Sequence, residues 1–176
     1  MVSGSTVLST PRLTLREMTA RDAPFILRLL NDEAFLHYIG DKGVRTEADA
    51  RQYIAAGPAA SYEAFGFGLW LVTLKDGEVP IGICGLLKRP VLDDVDIGFA
   101  LMPEWRAAGY GFEATSAVVD YARTTLRLPR LLAITSADNH VSGRLLETLG
   151  LAFERMAQIY EGEPPLKLYS VSWTSS

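Results

Sequence analysis

Cysteine and histidine are nearly missing from this 176-residue chain, which has one cysteine, Cys84, and two histidines, His37 and His140. A lone thiol forms no internal disulfide, and the shortage suits a reducing compartment. None of the three residues stands at ligand spacing, so no metal site is expected. Cys84, between Ile83 and Gly85 in an apolar run, reads as a core thiol, since no histidine motif accompanies it. His37 and His140 read as surface or packing residues, with pocket lining left open. Positive charge is not in excess either. Seventeen Lys and Arg face 21 Asp and Glu for a net charge of -4, which argues against broad nucleic-acid binding but permits a local basic pocket for a small polyanion. No apolar run approaches membrane-spanning length, and Met1–Thr10 carries neither a basic nor a long apolar segment. The expectation is a cytoplasmic protein with no nucleic-acid or membrane partner.

What is present is ordinary globular material. Hydrophobic residues make up 48% and charged residues 22%, enough for one substantial core. A single domain over residues 1–176 is expected, with its ordered core at about 10–173. Arg12–Met18 alternates as a strand. Thr19 and Asp22 are candidate caps for a helix with the stripe Phe25, Ile26, Leu29 and Leu30, and Pro24 fits its first turn. A loop with Gly40 and Gly43 follows. Thr46-Glu-Ala-Asp49 is a capping pattern for a second short helix ending near Gly57-Pro58. Residues 66–74 and 80–87 form a hairpin around Asp76-Gly77, and 94–102 a third consecutive strand. A helix over 112–126, a strand over 130–135, a helix over 139–149 stopped by Gly150, and strands over 153–160 and 166–173 complete the chain. The order β-α-α-β-β-β-α-β-α-β-β predicts a mixed α/β sheet and excludes a doubly wound nucleotide fold. The tryptophans Trp70, Trp105 and Trp173 are assigned to packing.

The densest signal is Leu101-Met-Pro-Glu-Trp-Arg106-Ala-Ala-Gly109-Tyr-Gly111-Phe-Glu-Ala114, a strand end running through glycines into an amphipathic helix. Free N–H groups at such a helix start suit a pyrophosphate. Position 114 is alanine and no Gly-Lys-Ser/Thr follows, so neither the dinucleotide fingerprint nor the P-loop is met. A turn that needs glycine for its backbone angles is the alternative reading.

Arg106-Ala-Ala-Gly109-Tyr-Gly111 resembles the Arg/Gln-x-x-Gly-x-Gly/Ala acyl-CoA motif of the GNAT superfamily of N-acetyltransferases. Glu113-Ala114, the segment Asn139-His-Val-Ser142 with its run to Gly150 and Phe153, and Thr10–Arg16 resemble the branch that contains the ribosomal-protein N-terminal alanine and serine acetyltransferases. Two residues stand inserted before Phe153. The likeness implies the GNAT fold with a splayed central strand pair, acetyl-CoA as cosubstrate and an amine as acceptor, either a protein N-terminus or a small molecule such as an antibiotic or polyamine. A protein that binds CoA without turnover is the rival of a different class. Monomer and homodimer are both open.

On that resemblance, the CoA-binding residues are Phe99, Ala100 and Leu101 on the splayed strand, Arg106, Ala107, Ala108, Gly109, Tyr110, Gly111 and Phe112 at the cradle, and Asn139 and Ser142 beyond it. Arg106 fits as a supporting charge or reaches an acidic neighbour, and Asn139 doubles as an N-cap. Amine acetylation needs a base for the amine, donors for the oxyanion, and a proton for the departing thiolate. Asp96 is the first candidate base, its alternative being solvation of a strand end with Asp93 and Asp94. Glu104 is the second, its alternative a loop or cap residue. Where many members of the superfamily carry tyrosine, this chain has Leu146. Ser142 then serves as acid, positioning group or water relay, with Tyr110, Tyr160, Tyr169 and solvent as other proton sources. A backbone N–H near Phe99–Leu101 is the simplest oxyanion donor. Phe35–Gly40, the second helix and Glu161–Leu166, with acidic Glu161 and Glu163, are expected to shape the acceptor side.

Overall fold

Eight strands join one sheet in the computed structural model, which describes residues 4–173. They are β1 (Thr6–Ser9), β2 (Leu13–Arg16), β3 (Leu69–Leu74), β4 (Pro80–Leu87), β5 (Asp96–Leu101), β6 (Arg130–Ser136), β7 (Ala152–Ala157) and β8 (Leu166–Ser172), in the spatial order β1-β2-β3-β4-β5-β6-β8-β7. Neighbours are antiparallel except β5 and β6, which are parallel and share a single registered pair, Asp96 with Leu132. Beyond that pair the two strands diverge, as the resemblance implied.

The helices are α1 (Ala23–Leu30), α2 (Glu33–Tyr38), α3 (Glu47–Ile54), α4 (Ala60–Phe65), α5 (Tyr110–Thr124) and α6 (His140–Thr148). On one sheet face, Phe25, Ile26, Leu29 and Leu30 of α1 and Ala50 and Ile54 of α3 pack on Leu71 and Ile83. On the other, Ala114, Val118 and Ala122 of α5 and Leu146 of α6 cover Trp70, Cys84, Leu86, Ile97 and Leu131. Trp70 stands edge-on to Tyr121 at 5.6 Å between ring centroids. Each face of the middle strands meets a helix layer, which explains why the β3–β4 hairpin reads as nearly continuous apolar sequence.

Three local features differ from the expectation. First, β1 adds an edge strand before residue 10; its four residues bury only Val7 and Leu8 in part, too little to alternate. Second, the stretch after α1 contains α2, capped by Asp32, whose side chain accepts the Phe35 N–H at 3.2 Å. Only Phe35 of this helix is buried, so no stripe marks it. Third, α3 begins at the capping box of Thr46 and Asp49 as expected, but the chain does not stop at Gly57-Pro58. It passes through a π-helical stretch, Ala55–Ala59, into α4. The wider turn absorbs the missing N–H of Pro58 and the bulk of its ring, which would break an ordinary helix.

Candidate active site

The divergence of β5 from β6 leaves backbone groups without a strand partner. Leu132 N–H donates to the Val95 carbonyl at 2.9 Å and Met102 N–H to that of Ile81 at 2.9 Å. Along β5, odd-numbered residues therefore aim their backbone groups at β6 and even-numbered ones at β4. Phe99 and the Leu101 N–H face the opening gap. Ala100 does not: its polar backbone groups are turned to β4, a correction to its place among the cosubstrate-facing groups. The Leu101 carbonyl is taken by Arg106, whose Nε and Nη2 donate to it at 3.1 and 2.8 Å.

At the foot of the gap the chain makes one turn of 3-10 helix, Pro103–Trp105, and then the glycine loop. Ala107 and Gly109 adopt left-handed φ angles of 64° and 86°, so residue 109 is glycine for backbone reasons. The first hydrogen bond closing α5 runs from Glu113 N–H to the Gly109 carbonyl at 3.0 Å. Among the described residues, the six amides from Ala107 to Phe112 donate to no protein acceptor. Gly111 has no left-handed φ, and a Cβ there would stand 3.6 Å from Leu101 and 3.9 Å from Leu145, an ordinary contact. Neither backbone nor core demands glycine at 111; what its bareness provides is close approach to the amides from outside.

The side chains around the loop brace it. Arg106 reaches an acidic neighbour as well as Leu101: its Nη2 lies 2.7 Å from Asp32, the cap of α2. The Tyr110 ring packs between Trp105, edge-on at 6.1 Å, and the Arg12 guanidinium, 4.2 Å from its centroid. Glu113 accepts from Thr10 Oγ1 at 2.5 Å, Arg12 N–H at 2.9 Å and Arg12 Nε at 2.8 Å, pinning the first turn of α5 to the β1–β2 turn. Phe112 is exposed.

On the β6 side, Asn139 caps α6 by accepting the Ser142 N–H at 3.2 Å. The Ser142 hydroxyl, half-buried, has no partner among the described residues. Leu146 is fully buried in the core. Of the three tyrosines, Tyr110 belongs to the loop and Tyr160 to Arg89. Tyr169 lies beneath α6, its phenol oxygen 2.6 Å from where a Cβ on Gly143 would be. Thr135 Oγ1 on β6 is buried and has no hydrogen-bond partner among the described residues.

Asp96 heads β5 at the apex of the divergence and is wholly buried, unlike Asp94, which pairs with Arg130 at 3.5 Å near the surface. Arg89, in the β4–β5 connection, sets Nε 3.1 Å from both Asp96 oxygens and donates through Nη1 to Tyr160 Oη at 2.8 Å. Burial raises the Asp96 carboxyl and Arg89 partly offsets it, leaving it at about 6. Glu104 stands apart: it is half-exposed and reaches Arg28 at 3.5 Å, beside the glycine loop. Sequence reasoning missed Arg89 and named Tyr160 only as one of several possible proton sources, because 71 residues separate the two and neither sits in a motif.

The acceptor side adds three observations. The α2 helix spans from Asp32 at the loop to His37, whose Nε2 lies 2.7 Å from Asp138 in the β6–α6 turn. A hollow of about 360 Å³ lies between the α3–α4 helices and the sheet, lined by Tyr53, Pro58, Ala60, Ala64, Leu69 and Leu87. Leu87 is the ladder partner of Asp96. Glu161 and Glu163 are exposed in the β7–β8 loop. Among the described residues, no cluster of His, Cys, Asp and Glu suits a metal ion, and no helix is long and apolar enough to cross a membrane.

Comparison with known proteins speaks to this arrangement directly. The uncharacterized N-acetyltransferase YoaA of Bacillus subtilis is 29% identical over 155 residues, spanning 88% of this chain and 87% of that protein. An acetyltransferase from Agrobacterium tumefaciens superposes with a TM-score of 0.79 at 24% identity, covering 98% and 97% of the two chains. RimL, a ribosomal L7/L12 alpha-N-protein acetyltransferase in complex with coenzyme A, superposes with a TM-score of 0.80 at 14% identity, over 96% and 98%. The family model for the acetyltransferase (GNAT) domain matches residues 12–152, a span that holds the diverging strands, the glycine loop and α6. With the parallel β5–β6 pair opening above six unpaired amides, the chain belongs to the GNAT family of acetyltransferases.

Proposed function

We propose that this protein moves an acetyl group from acetyl-CoA to the α-amine of a protein N-terminus, by direct attack with both substrates bound. The observation that carries the reading is the set of six unpaired amides at residues 107–112 below a strand gap faced by Phe99 and Leu101. The amides, aided by the dipole of α5, suit the pyrophosphate of CoA. The gap suits its extended arm, whose amides pair with free strand groups, and brings the thioester toward Asp96.

Attack of the neutral amine on the thioester carbon forms the C–N bond and places negative charge on the carbonyl oxygen. A backbone N–H of the splayed strand stabilises that oxyanion. The ammonium proton passes to Asp96, through water because the carboxylate is buried, and Arg89 holds the carboxylate in place. Collapse breaks the C–S bond. Ser142 hydrogen-bonds the departing sulfur, which takes its proton from solvent, since Leu146 supplies no phenol. Glu104 has no place in this chemistry and steadies the loop through Arg28. The α-amine assignment draws support from RimL, which acts on a protein α-amine as its name states. A primary amine on a small molecule is the second reading, favoured by the apolar hollow beside Leu87.

An acceptor panel separates the two. Peptides with free N-termini should be acetylated faster than the same peptides offering only a lysine amine, and faster than polyamines or aminoglycosides. Preference for the small amines would sink the α-amine assignment. CoA binding without transfer to any amine would mark a protein that has lost turnover.

A further inference from the structure

The hollow of about 360 Å³ between α3–α4 and the sheet falls within the range of about 300–1,000 Å³ that small-ligand sites occupy. The helix above does not close it. None of the α4 side chains is buried, and Ala60, Ala64 and Phe65 stand exposed along its wall. Its floor is Leu69 and Leu87, each half-buried beside fully buried strand neighbours. Two of its polar side chains are already engaged. Ser61 Oγ donates to the Phe67 carbonyl at 2.6 Å, and Lys88 Nζ to the carbonyls of Leu92 and Asp93 at 3.1 and 3.2 Å. What the hollow offers a ligand is apolar surface, with the Tyr53 hydroxyl, unpaired among the described residues, as the polar exception.

Strand register ties this surface to the candidate base. Leu87 and Asp96 are paired directly across β4 and β5, so their side chains share one sheet face with Cβ atoms about 5 Å apart. That face is the one under α1 and α3, because Ile83, on the same alternation of β4, packs there with Leu71. After Asp96 the next residue of β5 on this face is Gly98, where a Cβ would stand 2.9 Å from Leu87 and 3.4 Å from Leu69. The two leucines thus lie over bare β5 backbone, one step along the face from Asp96. An α-amine and its side chain leave the same Cα, and this spacing suits both: the amine meets Asp96 through water while the side chain rests on Leu87. A second hollow of about 250 Å³ shares Tyr53 and Ala56 with the first and adds Lys42 and Gln52, whose polar ends have no hydrogen-bond partner among the described residues. An apolar recess at the base with polar groups beside it fits a peptide that enters by its first residue and brings backbone amides behind.

We infer that this hollow selects the first residue of the acceptor, so that the protein acetylates N-termini beginning with a large apolar residue (leucine, methionine or phenylalanine) in preference to small or charged ones. This rests on the α-amine reading above and narrows it to one substrate class.

Peptides identical except for their first residue supply the test, read as kcat/KM from CoA thiol release. Leucine-, methionine- and phenylalanine-first peptides should exceed the alanine-first peptide by about 10- to 100-fold, and an aspartate-first peptide by more. Ala60→Leu and Ala64→Leu, each at an exposed helix position that leucine suits, fill the hollow from its wall and should reduce the leucine-to-alanine ratio to about 3-fold or less. Calorimetric titration with CoA, whose cradle lies elsewhere, should show both variants folded. Equal rates for leucine- and alanine-first peptides in the wild type would overturn the inference, as would a ratio that neither substitution moves. Turnover of small apolar amines such as phenethylamine, with no peptide acetylated, would instead remove the α-amine reading, and this inference with it.

Discussion

Arg89 offers the sharpest handle on the chemistry, because a single guanidinium determines how far burial can raise Asp96. Its Nε lies 3.1 Å from both carboxylate oxygens, and the carboxyl stands at about 6 with that contact in place. Hydrogen bonds to charged groups contribute about 1.5–3 kcal/mol, and each pH unit corresponds to about 1.4 kcal/mol. Arg89→Met, which keeps the apolar stem, should therefore move the acid limb of the pH–rate profile upward by about one to two pH units. At pH 7 the rate should fall about 2- to 10-fold and recover by about pH 9, since only the ionised fraction of Asp96 has changed. Asp96→Asn should lower kcat about 100-fold or more at every pH, with acetyl-CoA affinity unchanged. The assay is the initial rate of CoA thiol release against pH, with a peptide α-amine as acceptor. Stability gives a second readout. A carboxyl whose folded value is raised contributes stability at low pH that is lost as the pH rises through about 6. Arg89→Met should therefore be more destabilised at pH 8 than at pH 5. A profile for Arg89→Met that superposes on the wild type, or an Asp96→Asn variant with the wild-type acid limb, would refute the assignment of Asp96 as base.

Gly111→Glu should fold normally, because a Cβ at 111 meets nothing closer than 3.6 Å, yet lose detectable CoA binding as bulk and negative charge enter the amide cradle; wild-type affinity in titration would remove that cradle. For Glu113, burial raises the carboxyl, but bonds from Thr10 and Arg12 prevail and hold it below the usual range. Its contribution is present above the ordinary glutamate value and fades as the pH falls through the lowered one. Glu113→Gln should thus cost about 1–3 kcal/mol in denaturant unfolding at pH 7 and much less near pH 3; an equal cost at both would show that charge is irrelevant there. Burial raises the Cys84 thiol, and the residue is 1% exposed, so a thiol reagent should label it only under unfolding conditions; fast labelling of the native protein would contradict the packing of β4.

The readability of this fold followed how many residues signal together. The β3–β4 hairpin was legible because apolar runs flank Asp76-Gly77, and α3 because Thr46 and Asp49 cap its start. By contrast α2 buries one side chain and β1 two in part, and such elements exist only because a finished sheet and the α1 layer are there to receive them. Pro58 misled for the same reason: tertiary packing sustains a π-helical turn that local propensity would end.

The donor half of the candidate site lies in one contiguous stretch, Leu101–Ala114, where turn geometry and helix start are local matters; the sequence by itself determined the glycine loop, the Asn139 cap and the likeness they carry. Only the tertiary structure decided the rest. The divergence of β5 from β6 separates Phe99 from Ala100, because strand alternation matters only once a partner is known. The Asp96–Arg89 pair is joined to Tyr160 across 71 residues, and the Thr135 hydroxyl, without a partner among the described residues, becomes visible only when every buried donor has been given, or denied, its acceptor. Hydrogen bonding across such distances is a property of the folded sheet, and no local pattern encodes it.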